Sequence, residues 1–182
     1  MTLKTIAVMS PGNMGAGVAA ALGASGYDII TCLKGRSDYS RDKAARANMR
    51  DVGSLDGLVA EADLILSILD PAKAVSLAEE IAAAMANSNR KPPFADCNAT
   101  SPATAERLNG IITGAGAVFI DVGIIGGPPR DDQSPSFCTS GPDAALIDEF
   151  DGKGVTILYV GDAVGAGSAI KICNGAWTKG AF

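Results

Sequence analysis

The fold is decided by residues 5–17, which read Thr5-Ile6-Ala7-Val8-Met9-Ser10-Pro11-Gly12-Asn13-Met14-Gly15-Ala16-Gly17. Residues 5–9 are mostly apolar or β-branched and predict a buried strand, and the alanine-rich residues 16–24 predict a helix. Glycines in the turn between them let the backbone come close to a ligand, and the N–H groups that open a helix attract anions such as a pyrophosphate. A glycine-rich turn can also serve only to tighten a corner. Because this turn joins the first strand and the first helix of the chain, we expect a dinucleotide site here.

The rest of the chain repeats the alternation of short apolar strands and helical stretches. Predicted strands follow at residues 28–33, 52–53, 63–69, 94–97, 117–122, 136–139 and 155–159, and predicted helices at 41–50, 55–60, 72–85, 102–112, 143–150 and 163–182. This alternation is typical of an α/β fold with a doubly wound, mostly parallel Rossmann sheet. We expect residues 1–162 to form a nucleotide-binding domain and residues 163–182 to form a separate C-terminal helix.

The composition narrows the classes of partner. With 182 residues, of which 47% are hydrophobic, the chain can build a sizeable core without disulfides or metals. The formal net charge of −5 and the absence of any Lys/Arg-rich run exclude a nucleic-acid or anionic-membrane binder and favour a small-molecule ligand. No apolar stretch approaches the ~18 residues of a membrane span, so we expect no membrane partner and a cytoplasmic location.

The chain has no histidine and four cysteines. Cys32, Cys97, Cys138 and Cys173 lack the C-x-x-C spacing of a zinc or redox motif, so we expect no metal site and interpret them as reduced thiols in the core. Because the chain has no imidazole, any acid–base catalysis near neutral pH would have to use a lysine, a cysteine, a tyrosine or a carboxylate with a shifted pKa. Lysine is the first candidate.

The residues after the second predicted strand bear on the choice of cofactor. A fold that prefers NAD carries an acidic residue there to hold the ribose 2′-hydroxyl, whereas a 2′-phosphate requires a cation and hydroxyl donors. This chain has Lys34-Gly35-Arg36-Ser37 at that point. Arg36 can form a forked contact with phosphate and Ser37 can donate a hydrogen bond, which favours NADP. The alternative is that Arg36 is an ordinary surface residue of a loop.

Five segments carry glycines or polar residues at defined spacing. They are Ser10-Pro11-Gly12-Asn13-Met14-Gly15, Leu69-Asp70-Pro71, Asp96-Cys97-Asn98-Ala99-Thr100-Ser101-Pro102, Asp121-Val122-Gly123-Ile124-Ile125-Gly126-Gly127 and Gly165-Ala166-Gly167-Ser168-Ala169-Ile170-Lys171-Ile172-Cys173-Asn174. In this order and at these distances they resemble the motifs of the β-hydroxyacid dehydrogenases with their 6-phosphogluconate dehydrogenase-like NADP domain. The first resembles G-x-G-x-M-G with Ser10 in place of a glycine, and the last resembles G-x-G-x-x-x-K-x-x-N, which carries the family's catalytic lysine.

The resemblance implies which residues bind and react. NADP is expected on Ser10, Gly12, Asn13, Met14, Gly15, Arg36, Ser37, Leu69, Asp70 and Asn98. Substrate contacts are expected from Thr100, Ser101, Gly126 and Gly127. Lys171 is the expected catalytic lysine, with Asn174 on the same helix face because the two lie three residues apart. A partly desolvated lysine can exchange a proton with a substrate hydroxyl or imine, whereas an ordinary lysine only extends its charged end into solvent.

The implied activity is hydride transfer between NADP(H) and a small hydroxy acid or a related carbonyl or imine compound. Family enzymes continue from the last helix into an all-helical domain of about 100 residues, so residues 163–182 are interpreted as the first part of an interdomain helix whose domain is absent. This helix has no continuous polar face because of Ile170, Ile172, Ala176, Trp177 and Phe182, so a following domain or a second copy in a homodimer must bury it. The alternatives are a non-catalytic nucleotide-binding module and a truncated chain.

Overall fold

The computed structural model describes residues 3–130 and 132–180, with the backbone alone at residue 179. In these residues one sheet contains β1 Thr5–Met9, β2 Asp28–Thr31, β3 Arg50–Asp51, β4 Leu64–Ser67, β5 Phe94–Asp96, β6 Phe119–Ile125, β7 Ser136–Ser140 and β8 Thr156–Gly161. The order across the sheet is β3-β2-β1-β4-β5-β6-β7-β8, and neighbours are parallel except for β6 and β7. The predicted α/β fold with a doubly wound, mostly parallel sheet is confirmed.

Helices cover both faces of the sheet. They are α1 Asn13–Ala24, α2 Asp38–Arg46, α3 Leu55–Glu61, α4 Ala74–Ala86, α5 Pro102–Gly114 and α6 Ala166–Gly180, with 3₁₀ helices at Pro71–Lys73 and Ala144–Phe150. Successive residues of a strand point to opposite faces. In β1, Ile6 and Val8 join the core beneath α1, whereas Ala7 and Met9 join the core beneath α3, α4 and α5.

The topology places a crevice beside β1. Because β1 lies between β2 and β4 and is parallel to both, the carboxyl ends of these strands meet at one edge of the sheet. The chain leaves β1 toward one side for β2 and later returns on the other side as β4, so the strand order reverses here. Open α/β sheets bind their ligands at such a point.

Two helices begin three residues earlier than the sequence predicts. α1 begins at Asn13, directly after the glycine turn. α2 begins at Asp38, because the hydroxyl of Ser37 accepts a hydrogen bond from the N–H of Ser40 and caps the helix. The N-termini of α1 and α2 therefore lie next to residues that are predicted to bind the cofactor.

Two strands also differ from the prediction. The predicted strand end at residue 122 is wrong, because β6 continues to Ile125 and residues 121–125 pair antiparallel with β7. The short third strand is Arg50–Asp51 rather than residues 52–53, since these two residues pair with the end of β2. The longer β6 places its last residues directly before the Gly126-Gly127 segment.

The helix α6 is covered on one side. Its first turn is buried, whereas Ile170, Ile172 and Trp177 are 38, 43 and 79% exposed. Cys173 is exposed on the same helix, so the interpretation of the cysteines as core thiols is wrong at this position, although the other three are buried. The reason is that Cys173 lies on a part of α6 that no other described element covers. None of the described helices is long and apolar enough to cross a membrane.

Candidate functional site

The glycine turn after β1 leaves the start of α1 open. Gly12 is the N-cap, and in the described part of the chain no side chain caps the helix and no acidic residue lies in its first turn. Gly12 and Asn13 are exposed. The first N–H groups of α1 therefore remain available as donors at the positive end of the helix dipole. An anion before the helix would accept hydrogen bonds from them.

Gly12 and Gly15 have different surroundings. A Cβ on Gly15 would lie 2.6 Å from the carbonyl oxygen of Ser10, so the turn can close only over a glycine. No described atom lies within 4 Å of a Cβ built on Gly12. Met14, between them, packs against the core. Gly15 therefore shapes the turn, whereas Gly12 leaves room for a ligand outside it.

A second glycine segment lies against the side of α1. Gly126 adopts a φ of +109°, and the chain then continues into Gly127 and two prolines. A Cβ on Gly17 of α1 would lie 3.0 Å from Pro128 and 3.1 Å from Pro129. This close packing brings the predicted substrate segment next to the helix that follows the glycine turn.

A cavity of about 710 Å³ opens beside the carboxyl ends of β1 and β2. Three cationic side chains line it, those of Lys34, Arg36 and Lys73, together with the carboxylates of Asp56 and Glu80. Apolar surface comes from α3 and α4. A cavity of this size, with apolar walls and a few charged groups, is typical of a small-molecule site.

The loop that carries Arg36 is held in place at its start. Asp51 accepts hydrogen bonds from the N–H groups of Leu33 and Gly53, both at 3.0 Å, and these bonds lower the pKa of its carboxyl group. The side chain of Arg41 donates to the carbonyl of Leu33 at 2.8 Å. Arg36 therefore extends from a backbone position that is already ordered.

Two lysines near the site were not expected from the sequence. Lys73 lines the cavity. Its position after Pro71, in the turn that follows β4, could have indicated this, because the strand order reverses there and ligands bind at such a point. Lys43 of α2 donates to Asn13 Oδ1 at 2.6 Å and so brings a cation to the first residue of α1. That contact joins segments far apart in sequence and has no local signal. Ser37, in contrast, caps α2.

Buried polar groups connect the ends of β4 and β5. Asn98 donates to Ser67 Oγ at 2.9 Å and to Asp96 Oδ1 at 2.5 Å, and its own oxygen accepts the N–H of Leu69 at 2.6 Å. Burial raises the pKa of Asp96 to about 6, although the hydrogen bond from Asn98 opposes the shift. Asn98 thus holds the turn at Leu69, where Asp70 caps the following 3₁₀ helix. The contact of these residues with a cofactor stays a prediction.

A second buried carboxylate holds the beginning of α6. Asp121 of β6 accepts hydrogen bonds from Ser140 Oγ at 2.8 Å, from Ser168 N–H at 3.0 Å and from Ser168 Oγ at 2.5 Å. Ser140 Oγ also accepts the N–H of Gly167 at 3.0 Å. All three side chains are buried. We call Asp121, Ser140 and Ser168 the α6 anchor. Asp121 and Ser140 accept hydrogen bonds from N–H groups in the first turn of α6, and so the anchor holds the N-terminal end of this helix in place.

The two predicted substrate hydroxyls already have partners inside the protein. Thr100 Oγ1 donates to Asp96 Oδ2 at 3.4 Å and lies 3.5 Å from Ser168 Oγ, so it connects the two buried carboxylate groups. Ser101 Oγ accepts the N–H of Thr104 at 3.1 Å and caps α5, which confirms the predicted start of that helix. Their roles toward a substrate stay predictions.

Lys171 lies one turn beyond the α6 anchor, where α6 crosses β6 most closely. A Cβ on Gly123 would lie 2.1 Å from the carbonyl oxygen of Gly167 and 3.0 Å from Lys171 Cβ, so glycines permit this backbone contact. Lys171 is half-buried, and its charge partly opposes the burial that raises the pKa of the Cys138 thiol. Asn174 is half-buried and follows one turn later. The structure thus brings Lys171 to the strand that leads into the predicted substrate segment.

Residues 5–149, which are more than half of the chain, match the family of the NAD binding domain of 6-phosphogluconate dehydrogenase. The chain therefore belongs to this family. The match includes the glycine turn, the cavity and the segment Asp96–Ser101, and it ends before α6.

A sequence relative and several solved structures are longer than this chain, and the solved structures share its fold. An uncharacterized 28.5 kDa protein in the 7S RNA 5′ region of Methanothermus fervidus is 26% identical over 152 residues, 84% of this chain and 57% of the relative. Mycobacterium tuberculosis 3-hydroxyisobutyrate dehydrogenase with L-serine has a TM-score of 0.83 at 23% identity, covering 97% of this chain and 60% of that one. An imine reductase from Myxococcus stipitatus with NADP+ has a TM-score of 0.79 at 22% identity, covering 97% and 61%; its V8 variant is solved with NAD+. The chain spans about three fifths of the length of these proteins.

Proposed function

We propose that this chain is the NADP(H)-binding part of an oxidoreductase that transfers hydride to or from a small hydroxy acid or a related carbonyl or imine compound. The observation that carries the proposal is the cavity of about 710 Å³ with its cations, which is lined by Met9 at the end of β1, directly before the glycine turn that leads to the open N-terminus of α1. In a member of this family, these two features supply one site for an adenosine group and an adjoining site for a pyrophosphate.

NADP is the proposed cofactor because of the residues behind β2. The loop presents Lys34 and Arg36 to the cavity and contains no acidic residue before Asp38, which is exposed at the start of α2. A guanidinium group forms forked, charge-assisted hydrogen bonds with phosphate and suits a ribose 2′-phosphate. Lys73 adds a third cation to the lining of the cavity, from the short 3₁₀ helix that follows β4. The three cations exceed the two carboxylates that line the same cavity.

In addition to hydride transfer, the proposed reaction needs a group that donates or accepts a proton. When bound, the nicotinamide supplies or accepts the hydride. Lys171 exchanges the proton with the substrate oxygen or nitrogen, since a half-buried ammonium can serve as acid and its amine as base. Asn174, on the same side of α6, orients the substrate by hydrogen bonding. The segment around Gly126 closes the site from the side of α1.

Arg36→Ala tests the cofactor assignment. The variant should bind NADPH about tenfold or more weakly, because it loses a charge-assisted fork worth roughly 1.5–3 kcal/mol, while NADH binding stays nearly unchanged. Calorimetric titration with both cofactors measures this, and Arg107→Ala is the matched control because Arg107 lies on α5 in an exposed ion pair with Glu79. Equal affinity of the unaltered chain for NADPH and NADH would refute the assignment.

A second candidate function is nucleotide binding without turnover. It is favoured by the uncovered side of α6, where Trp177 is 79% exposed next to the helix segment that carries Lys171. An assay of hydroxy-acid oxidation and imine reduction separates the two, with Lys171→Met as control. Turnover that depends on Lys171 supports the enzyme, and cofactor binding without turnover supports the binding module.

A further inference from the structure

A row of buried polar side chains crosses four strands of the sheet. Strand register places one residue of each neighbouring strand in this row: Ser67 of β4, Asp96 of β5, Asp121 of β6 and Ser140 of β7. All four are completely buried. Register partners point to the same face of a sheet, and α6 begins over this face, because the N–H of Gly167 donates to Ser140 Oγ. We call these four residues the polar row, and each of them needs hydrogen-bond partners inside the protein.

Hydrogen bonds divide the polar row into two halves. In the first half, Asn98 donates to Asp96 Oδ1 at 2.5 Å and accepts the N–H of Leu69 at 2.6 Å, in the turn where the cofactor is proposed to bind. In the second half, Ser168 donates to Asp121 from both its N–H and its hydroxyl. The first half therefore belongs to the proposed cofactor site, and the second half belongs to the start of α6.

Thr100 lies between the two halves. Its hydroxyl is 3.4 Å from Asp96 Oδ2 and 3.5 Å from Ser168 Oγ, and the residue is buried. Both distances are at the long end of hydrogen-bond geometry, so the hydroxyl is not held tightly by either partner. It has a single proton and donates to one of them at a time, while the proton of Ser168 is already used by Asp121. The direction of the Thr100 hydroxyl therefore decides whether it donates to Asp96 or to the helix.

The protonation of Asp96 can turn this hydroxyl. Burial and the neighbouring charge of Asp121 raise the pKa of Asp96 to about 6, so Asp96 takes up a proton from solvent just below neutral pH. The adjacent Cys97 thiol stays neutral in this range, because burial raises its pKa well above the usual value. β4 faces Asp96 with the hydroxyl of Ser67, and the charged group on this part of α6 is Lys171, which lies over β6.

We propose that Thr100 is a positioning residue for Lys171, and that it ties α6 to the loop after β5 when Asp96 is protonated. With Asp96 ionised, the Thr100 hydroxyl donates to it. A proton on Asp96 Oδ2 reverses this bond: the acid donates to Thr100 Oγ1, and the Thr100 hydroxyl then donates to Ser168 Oγ. Ser168 lies one turn before Lys171, so the added bond holds the turn that carries the lysine. The reversal needs no ligand, whereas its use in a reaction rests on the proposed function.

A pH titration of the full chain, followed by amide NMR without cofactor, tests this inference. Between about pH 8 and pH 5, the amide resonances of Leu69, Ser168 and Lys171 should shift together, with a midpoint near the pKa of about 6 that Asp96 has. Asp96→Asn should abolish all three shifts. Thr100→Val and Thr100→Ala lack the hydroxyl, so each should keep the shift at Leu69 and lose the shifts at Ser168 and Lys171.

Two controls and a separate binding measurement complete the test. Thr100→Ser keeps the hydroxyl and should retain all three shifts, as should Thr113→Val, which makes the same exchange at an exposed position of α5. Shifts at Ser168 and Lys171 that are absent from the unaltered chain, or that persist in both variants without the hydroxyl, overturn the inference. A chain that shows the shifts but does not bind NADPH refutes the proposed function and leaves the hydrogen-bond reversal in place. A chain that binds NADPH without these shifts does the opposite.

Discussion

The two ends of the sheet's carboxyl edge are built in different ways. Around β1 and β2, the loop of Arg36 is ordered by partly exposed hydrogen bonds, and a cavity of about 710 Å³ stays open. Around β6 and β7, Asp121 is completely buried with three hydrogen bonds, while the other side of α6 is uncovered and Trp177 is 79% exposed.

This difference separates stability from binding. We call the end of the sheet around β1 and β2 the nucleotide end. Its glycine turn, its cavity and its cations all lie within the described residues, so substitutions there should change ligand affinity more than the stability of the fold. The α6 anchor satisfies buried groups from β6, β7 and α6, so changes there should affect the fold more than a ligand. The proposed role of Lys171 depends on both ends of the sheet. The α6 anchor positions the helix that carries it, and a cofactor bound at the other end would supply the hydride transfer that its proton exchange accompanies.

The largest effect is expected from Asp121→Ala. The substitution leaves the Ser168 N–H and two hydroxyls buried without their acceptor, so the free energy of unfolding should fall by about 3–5 kcal/mol. Urea unfolding measures this, with the exposed Asp148→Ala as a control that should stay within about 0.5 kcal/mol. The folded variant should bind NADPH as before. A loss below ~1 kcal/mol would show that the anchor is not a main source of stability.

The next effect concerns pH and Asp96. Its pKa of about 6 in the folded chain lies above the ordinary 3.8, so between these values the folded state holds a proton that the unfolded state has released. The contribution of Asp96 to the free energy of unfolding therefore rises as the pH falls from 7 toward 4, by ~3 kcal/mol in total. Asp96→Asn resembles the protonated form and should lack this rise. Urea unfolding at several pH values compares them, and the same pH dependence in both proteins would contradict the account.

Gly12→Val should act on binding alone. Gly12 has a φ of −75°, which valine can adopt, and no described atom lies within 4 Å of its Cβ position. The fold should therefore keep its stability, while NADPH and NADH bind at least ~100-fold more weakly, about 2.7 kcal/mol, because the side chain occupies the anion site. Gly15→Val is the contrasting variant, since its side chain would collide with the Ser10 carbonyl and disturb the turn. Unchanged binding by Gly12→Val would show that the glycines serve the corner only.

The sequence predicted most of the sheet because most strands carry a local signal, whereas the two-residue β3 carries none and is predicted two residues too late. Residues 5–9 and 64–67 are apolar runs of strand length, and the glycines after β1 mark the turn. The predicted start of α2 at residue 41 is wrong because Ser37 caps the helix, and a serine directly before a helix is a local signal of such a cap. The extension of β6 depends on β7, which is separated from it by a loop, so no local pattern could show it.

The candidate site was predictable only in part. The glycine motif and the loop around Arg36 were identified from short patterns, and the structure places Arg36 at a cavity. The α6 anchor was missed because Asp121, Ser140 and Ser168 come from separate segments and meet only through the fold. The exposure of Cys173 was missed because burial depends on what covers the helix.

The central claim is that the nucleotide end binds NADP(H), and amide NMR of the 18.3 kDa chain during titration tests it most directly. NADPH should shift the amide resonances of Ser10 and residues 12–15, of residues 34–37 and of Lys73, and leave those of β8 unchanged. NADH should shift the turn at residues 10–15 as well, with smaller changes at residues 34–37, because it lacks the 2′-phosphate. No shift at residues 10–15 with either cofactor, or identical shifts at residues 34–37 with both, would contradict the account.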